Sequence, residues 1–247
     1  MALSDKEIAE ISERLRELGI WQTSANDFKV AVRAFQRINN LKVDGVVGPK
    51  TKAALWPTSA GLPIDRDDMR IATPAPVTHP SSKWPTQANC EPFYGAVGSN
   101  QTMATLPFPM RIAWSKSQTV NKFSCHMKVR EPIEHIFSEV MKAYDKVSRT
   151  DLGLDLYGGC LNVRKMRGGS AWSMHAWGIA VDIDPVRNDL HSTRKASYTG
   201  SDGKFHMHAK MSDPEYVPYW QIIEATGAVS LGRDVDFDWM HYQFARL

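Results

Sequence analysis

Six of the 14 prolines in this 247-residue chain fall between Pro57 and Pro85, in PTSAGLPIDRDDMRIATPAPVTHPSSKWP. Proline locks φ and lacks a backbone donor, so a stretch like this resists both helix and sheet and favours extended, semi-rigid backbone. It reads as a linker. The length alone allows one or two domains, and the prolines select two: a short unit over residues 1–56, a linker over 57–85 and a larger domain over 86–247.

Composition removes several classes. Hydrophobic residues at 43% and charged residues at 23% are ordinary globular values, against wholesale disorder or fibrous repeats. No apolar run reaches the roughly 18 residues of a bilayer-spanning helix, so no membrane insertion is expected. A net charge of +3 is too small to indicate a nucleic-acid partner. Cys90, Cys125 and Cys160 are odd in number and lack CxxC spacing, which argues against a disulfide framework and against an all-cysteine zinc site. The start, MALSDKEIAEISERLRELGI, is amphipathic and acid-rich, without the basic start and apolar run of a signal peptide. Synthesis and folding in a cytoplasm are therefore expected.

The short unit reads as three helices. Ser4 and Glu7 form a capping box before Ile8, Ile11, Leu15 and Leu18, and Gly19 stops that helix. Asn26 or Asp27 can cap a second helix carrying Phe28, Val32, Phe35 and Ile38. A turn at Asp44-Gly45 follows, then a short helix started by Pro49 after Gly48. The run Phe35-Gln36, Leu41, Asp44-Gly45, Gly48-Pro49, Thr51 and Ala54-Leu55 resembles the peptidoglycan-binding type 1 module. The resemblance covers nearly all of residues 1–56 and implies a three-helix domain that targets the cell wall.

In the larger unit, Met110–Trp114 and Leu154–Tyr157 are strand candidates. Glu131–Val147 reads as one helix with Ile133, Ile136, Phe137, Val140, Tyr144 and Val147 on a face. Asp213–Thr226 reads as another, capped by Asp213, started by Pro214 and ended by Gly227. Interleaved helices and short strands predict an α+β domain with a small, mainly antiparallel sheet.

The chemistry concentrates in Ser173-Met-His175-Ala-Trp-Gly178-Ile-Ala180-Val-Asp182-Ile-Asp184. Alternation from Gly178 onward sends Ile179, Val181 and Ile183 toward a core and Ala180, Asp182 and Asp184 to the other face. A turn at Gly178 could fold His175 back toward Asp182. Near the C-terminus, Asp238-Trp-Met-His241-Tyr-Gln243 offers another carboxylate and histidine. These two can share a site only if the chain turns at Asp238 before entering a strand. Two histidines and one carboxylate suit a zinc ion that keeps a fourth position open.

Those two segments resemble the M15 metallopeptidases, which carry an SxHxxGxAxD motif and a later acidic-x-x-His. The chain has the first as Ser173, His175, Gly178, Ala180 and Asp182, and the second as Asp238 and His241. Gly159-Cys160-Leu-Asn-Val-Arg164 and Arg167-Gly168-Gly169 are similar to the segment preceding the motif in the family's cell-wall endopeptidases. The resemblance implies one Zn2+ per chain on His175, Asp182 and His241, with Asp238 as general base and Arg164 and Ser173 as substrate-binding residues. Zinc would lower the pKa of its water to roughly 7, and a general base is worth on the order of 100- to 10,000-fold in rate. Gln243, where an acidic residue is common, and Ser230-Leu-Gly-Arg233 depart from the family pattern. Both departures are expected to bear on the substrate pocket rather than on the metal.

Together these resemblances imply a monomeric bacteriophage endolysin. It would be made in the host cytoplasm and act on peptidoglycan once the membrane is permeabilised, cutting the stem peptide between L-Ala and D-Glu. D-Ala-D-Ala carboxypeptidase activity is the alternative within that class. A non-catalytic, zinc-stabilised wall-binding protein is the alternative outside it, since the same fold serves as a non-catalytic zinc-stabilised binding domain in the hedgehog signalling domain. Other candidates read as structural: Cys160, Cys125-His126, His135 and Asp184 as packing, capping or support, and His206-Met-His208 as a polar loop. Trp172, Trp177 and Trp239 read as core and pocket walls.

Overall fold

The computed structural model describes residues 3–17, 28–39, 41–56, 83–194, 196–200 and 203–247. They fall into two compact units, one ending at Trp56 and the other beginning at Lys83. The linker residues 57–82, Leu18, Gly19 and the candidate caps Asn26 and Asp27 lie outside the described residues.

The N-terminal unit has three helices: α1 (Asp5–Glu17), α2 (Phe28–Ile38) and α3 (Pro49–Leu55). The capping box forms as expected. The Ser4 N–H donates to Glu7 Oε2 at 2.9 Å, and the Glu7 N–H donates to Ser4 Oγ at 3.3 Å. Ile11, Leu15, Ala31, Val32, Phe35, Val47 and Leu55 make the core. At its edge lies buried Gln36, whose Nε2 donates to Asp44 Oδ1, the Val46 carbonyl and Thr51 Oγ1 at 2.9–3.1 Å. Its Oε1 accepts from the Asp44 and Gly45 N–H groups at 3.1 and 2.9 Å. One amide thus ties α2 to the Asp44-Gly45 turn and to α3, with Gly45 supplying the left-handed φ of 70° that the turn needs.

The C-terminal unit is α+β. Its six-stranded sheet has the order β2-β1-β3-β4-β8-β7. The strands are β1 (Gln101–Ile112), β2 (Ser115–His126), β3 (Leu156–Gly159), β4 (Ala180–Ile183), β7 (Val229–Ser230) and β8 (His241–Gln243). Only the β1–β3 pair is parallel; the others run antiparallel. A separate two-stranded ribbon joins β5 (Tyr198–Thr199) to β6 (Phe205–His206). The helices are the short α4 (Cys90–Tyr94), α5 (Arg130–Ala143), α6 (Lys146–Leu152), α7 (Val217–Glu224) and the short α8 (Leu231–Val235). Helix α5 packs on β1 and α7. Among the described residues, no helix is long and apolar enough to cross a membrane.

Four sequence expectations change. The strand expected at Met110–Trp114 is the end of the long β1–β2 hairpin. Pro107 and Pro109 disguise β1, but the register shifts between Thr105 and Met110, and Leu106 and Phe108 still turn inward. The single helix at Glu131–Val147 is broken in two. Tyr144 is extended (φ −131°, ψ 126°), and Asp145 caps α6 by accepting from the Ser148 N–H at 2.7 Å. The buried Tyr144 hydroxyl donates to the Glu215 carbonyl at 2.9 Å, so tertiary packing holds the break, and Val147 is exposed. Asp213 does not cap its helix, because its carboxylate takes His208 Nε2 at 2.6 Å and Lys210 Nζ at 2.5 Å. Trp84 and Pro85, placed at the end of the linker, pack into the domain: Trp84 Nε1 donates to the Thr226 carbonyl at 3.0 Å and the Arg246 N–H to the Pro85 carbonyl at 2.8 Å.

Candidate metal centre

Local geometry around Gly178 begins the site. Ser173 Oγ accepts from the His175 N–H at 3.3 Å and caps a single 3-10 turn over Met174–Trp177. Gly178 ends that turn with a left-handed φ of 69°, and the chain reverses into β4. A Cβ there would lie 2.6 Å from Gln101 Oε1 and 3.1 Å from the His126 backbone nitrogen, so only glycine fits. The reversal carries Asp182 back beside His175. In the β4–β8 ladder, Asp182 pairs directly with His241. Asp238 also has a left-handed φ, 52°, and its carbonyl accepts from the His241 N–H at 3.0 Å, which is the turn the sequence requires.

Three ligand atoms converge. His175 Nε2 lies 3.2 Å from Asp182 Oδ1 and 3.2 Å from His241 Nδ1, and His241 Nδ1 lies 3.0 Å from Asp182 Oδ1. All three residues are buried. A protein carbonyl can only accept, so the Cys160 carbonyl 2.7 Å from His175 Nδ1 places the proton on Nδ1 and leaves a lone pair on Nε2. On His241 the other nitrogen, Nε2, lies 3.1 Å from Gln243 Oε1. With both histidines neutral, lone pairs of two imidazoles and a carboxylate face one another in a buried space, an arrangement that repels unless a cation, a proton or a metal ion, sits among them. A tetrahedral ion with bonds of about 2.0–2.1 Å holds its ligand atoms about 3.3 Å apart, close to the separations observed. The group His175, Asp182 and His241 could therefore hold a metal ion.

The electrostatics match. Burial alone would raise the Asp182 carboxyl, but the charges and hydrogen bonds of His175 and His241 outweigh it and hold Asp182 well below the usual carboxylate range. Burial would lower His241, but the hydrogen bond and charge of Asp182 prevail and raise it. Asp238 is different. Burial, assisted by the charge of Asp182, pushes its carboxyl up to about 6 despite the opposing pull of His241 and His175. Among the described residues its Oδ1 is buried without a hydrogen-bond partner, an acceptor that interacts electrostatically with all three candidate ligand residues.

The remaining candidates sort by location. Arg164 is half-buried on the loop before the turn; its carbonyl accepts from the Ser173 N–H at 3.1 Å, and its Nη1 donates to the Lys165 carbonyl at 3.1 Å. Asp184 is bonded by Arg187 Nε at 2.6 Å and by Asn188 Nδ2 at 3.2 Å. His206 stacks on Tyr198, and His208 pairs with Asp213, so neither joins the centre. Burial raises the Cys160 thiol well above its ordinary value, and the thiol donates to the Gly178 carbonyl. Both faces of β4 are covered, since Ala180, Asp182 and Asp184 are buried along with Ile179, Val181 and Ile183 on the core side. Gln243 was expected to concern the substrate pocket; instead it touches the candidate ligand His241. Its position was the available signal, because residues two apart on a strand share a face. Ser230 caps α8, accepting from the Arg233 N–H, and Arg233 pairs with Glu224 at 2.9 Å.

Residues 4–55 match the family described as putative peptidoglycan binding domain. This match supports the N-terminal unit as a peptidoglycan-binding module and points to cell-wall association. Neither the curated proteins nor the solved structures gave a match to this chain.

Proposed function

We propose that the chain is a peptidoglycan hydrolase in which the N-terminal module holds the wall while the C-terminal domain, a zinc peptidase of M15 type, cleaves the stem peptide. The observation that carries this reading is the triangle of His175, Asp182 and His241 lone pairs beside the unpartnered carboxylate oxygen of Asp238. Two neutral histidines, Asp182 and Asp238 offer two negative charges, which balance a divalent ion. Histidine nitrogen and carboxylate oxygen at tetrahedral spacing suit zinc. Bound there, zinc would supply Lewis acidity, polarising the scissile carbonyl and lowering the pKa of water to about 7.

The chain's own groups supply the rest. Asp238 takes a proton from the attacking water and passes it to the leaving amine, and a pKa raised by burial suits both halves of that transfer. Ser173 holds the 3-10 turn that aims His175. Arg164 offers a guanidinium to a substrate carboxylate or to the developing oxyanion. The bond proposed is that between L-Ala and D-Glu. The whole fits a monomeric bacteriophage endolysin, made in the host cytoplasm and reaching the wall after the membrane is permeabilised.

Mass spectrometry of fragments released from purified peptidoglycan tests the proposal. New N-terminal glutamate supports the endopeptidase, and free D-Ala would move the assignment to a D-Ala-D-Ala carboxypeptidase. No released fragment from zinc-loaded protein would leave a non-catalytic wall-binding protein.

A further inference from the structure

We propose that Gln243 is a positioning residue for this centre: its amide, locked by the Ala245 carbonyl, holds His241 in the tautomer that presents Nδ1 to the ion. The inference rests on the metal-dependent reading above and adds a residue to it.

The chain of constraint starts at a backbone atom. Gln243 Nε2 donates to the Ala245 carbonyl at 2.8 Å. A carbonyl cannot donate, so the amide cannot flip without setting oxygen against oxygen. Its Oε1 must therefore face His241 Nε2, at 3.1 Å. An amide oxygen only accepts, so Nε2 of His241 carries the proton, and in a neutral imidazole Nδ1 is then bare. Nδ1 is the nitrogen that meets Asp182 Oδ1 and His175 Nε2. Gln243 is 1% exposed, so solvent does not compete for either hydrogen bond.

The same geometry explains why an amide rather than a carboxylate occupies this position. A glutamate in the same rotamer would turn an oxygen lone pair toward the Ala245 carbonyl, whereas glutamine satisfies an acceptor on one side and a donor on the other. His175 is oriented by a different device, the Cys160 carbonyl. The two histidines are thus fixed independently, one by main chain and one through a side chain.

The test uses full-length wild type and Gln243→Met, which keeps the volume and removes both hydrogen bonds. Zinc affinity is read by competition with a chromogenic chelator, and the His241 tautomer by imidazole 1H–15N correlation spectra of zinc-loaded and metal-free protein. Expected are an Nε2-protonated His241 in wild type, a zinc affinity about 10- to 100-fold weaker in Gln243→Met, and mixed tautomers in the metal-free variant. Equal zinc affinity with an unchanged tautomer in Gln243→Met overturns the proposal. So does a wild-type His241 that is protonated on Nδ1 and bare at Nε2, which needs no variant to fold. Wild type that binds no zinc sinks the metal reading instead, while its metal-free spectrum still reports whether Gln243 sets the tautomer.

Discussion

His175 and Asp182 are seven residues apart, yet His175 Nε2 and Asp182 Oδ1 lie 3.2 Å from one another, because the chain reverses between them at Gly178. Neither a helix nor a strand would bring positions at that spacing into contact through these atoms. A capped 3-10 turn, one left-handed glycine and two residues of β4 do so, and β8 then delivers His241 by direct ladder pairing.

Gly178→Ala should damage the centre without touching a ligand. A left-handed conformation costs a non-glycine residue roughly 1–2 kcal/mol, and the added Cβ would crowd Gln101 and the His126 backbone. We expect a lower melting temperature together with substoichiometric zinc after dialysis, measured by calorimetry and atomic absorption. Full zinc occupancy at wild-type stability would refute this account of the turn.

Asp238→Asn separates chemistry from metal binding. Asparagine tolerates the left-handed backbone at this position but cannot take a proton. Zinc should stay near one per chain while clearing of purified sacculi slows about a hundredfold or more. A variant that lyses sacculi at the wild-type rate removes Asp238 as general base.

Gln36→Leu should unfold the wall-binding module selectively. The substitution leaves the buried Gly45 N–H without its partner and removes one hydrogen bond each from the Asp44 N–H and the Val46 carbonyl, which keep the Lys42 carbonyl and the Gly48 N–H. A buried polar group so orphaned costs about 1–3 kcal/mol, a large share of the stability of a unit this small. Co-sedimentation with sacculi should be lost while zinc content is retained; undiminished sedimentation would contradict it.

The His208–Asp213 pair gives stability a pH signature. The hydrogen bond to Asp213, with that residue's charge, raises His208 above its ordinary value of about 6.5, burial opposing. A raised folded pKa stabilises fully below the unfolded value and is lost as pH rises through the folded one. Burial would raise Asp213, but His208 and Lys210 outweigh it and lower it, so its contribution is present above about 3.9 and lost in acid. His208→Asn should therefore lower the melting temperature most between about pH 4 and 6.5, with the gap to wild type closing toward pH 9. A gap that is constant with pH would show that the pair does not titrate as described.

Much of the architecture was legible in the residues themselves. The capping box at Ser4 and Glu7, the Gly48-Pro49 start of α3 and the buried face of α5 are short-range patterns whose physics is complete within a few neighbouring residues. The spacing of Ser173, His175, Gly178 and Asp182 and the later Asp238 and His241 marked candidate site residues by resemblance to a known motif, and of these the fold brings His175, Asp182 and His241 together. The β1–β2 hairpin was not legible, because two prolines mask β1 and β2 is a polar edge strand whose pairing is set across the sheet. The break at Tyr144 depends on a hydroxyl reaching Glu215, and Asp213 leaves its cap position for His208 and Lys210. By itself, then, the sequence determined two units, an α+β domain and the residue types of a candidate metal site. Only the tertiary structure decided which nitrogen of each histidine faces inward, because that choice is made by the Cys160 carbonyl and by Gln243, hydrogen bonds that exist only once β4 and β8 are paired.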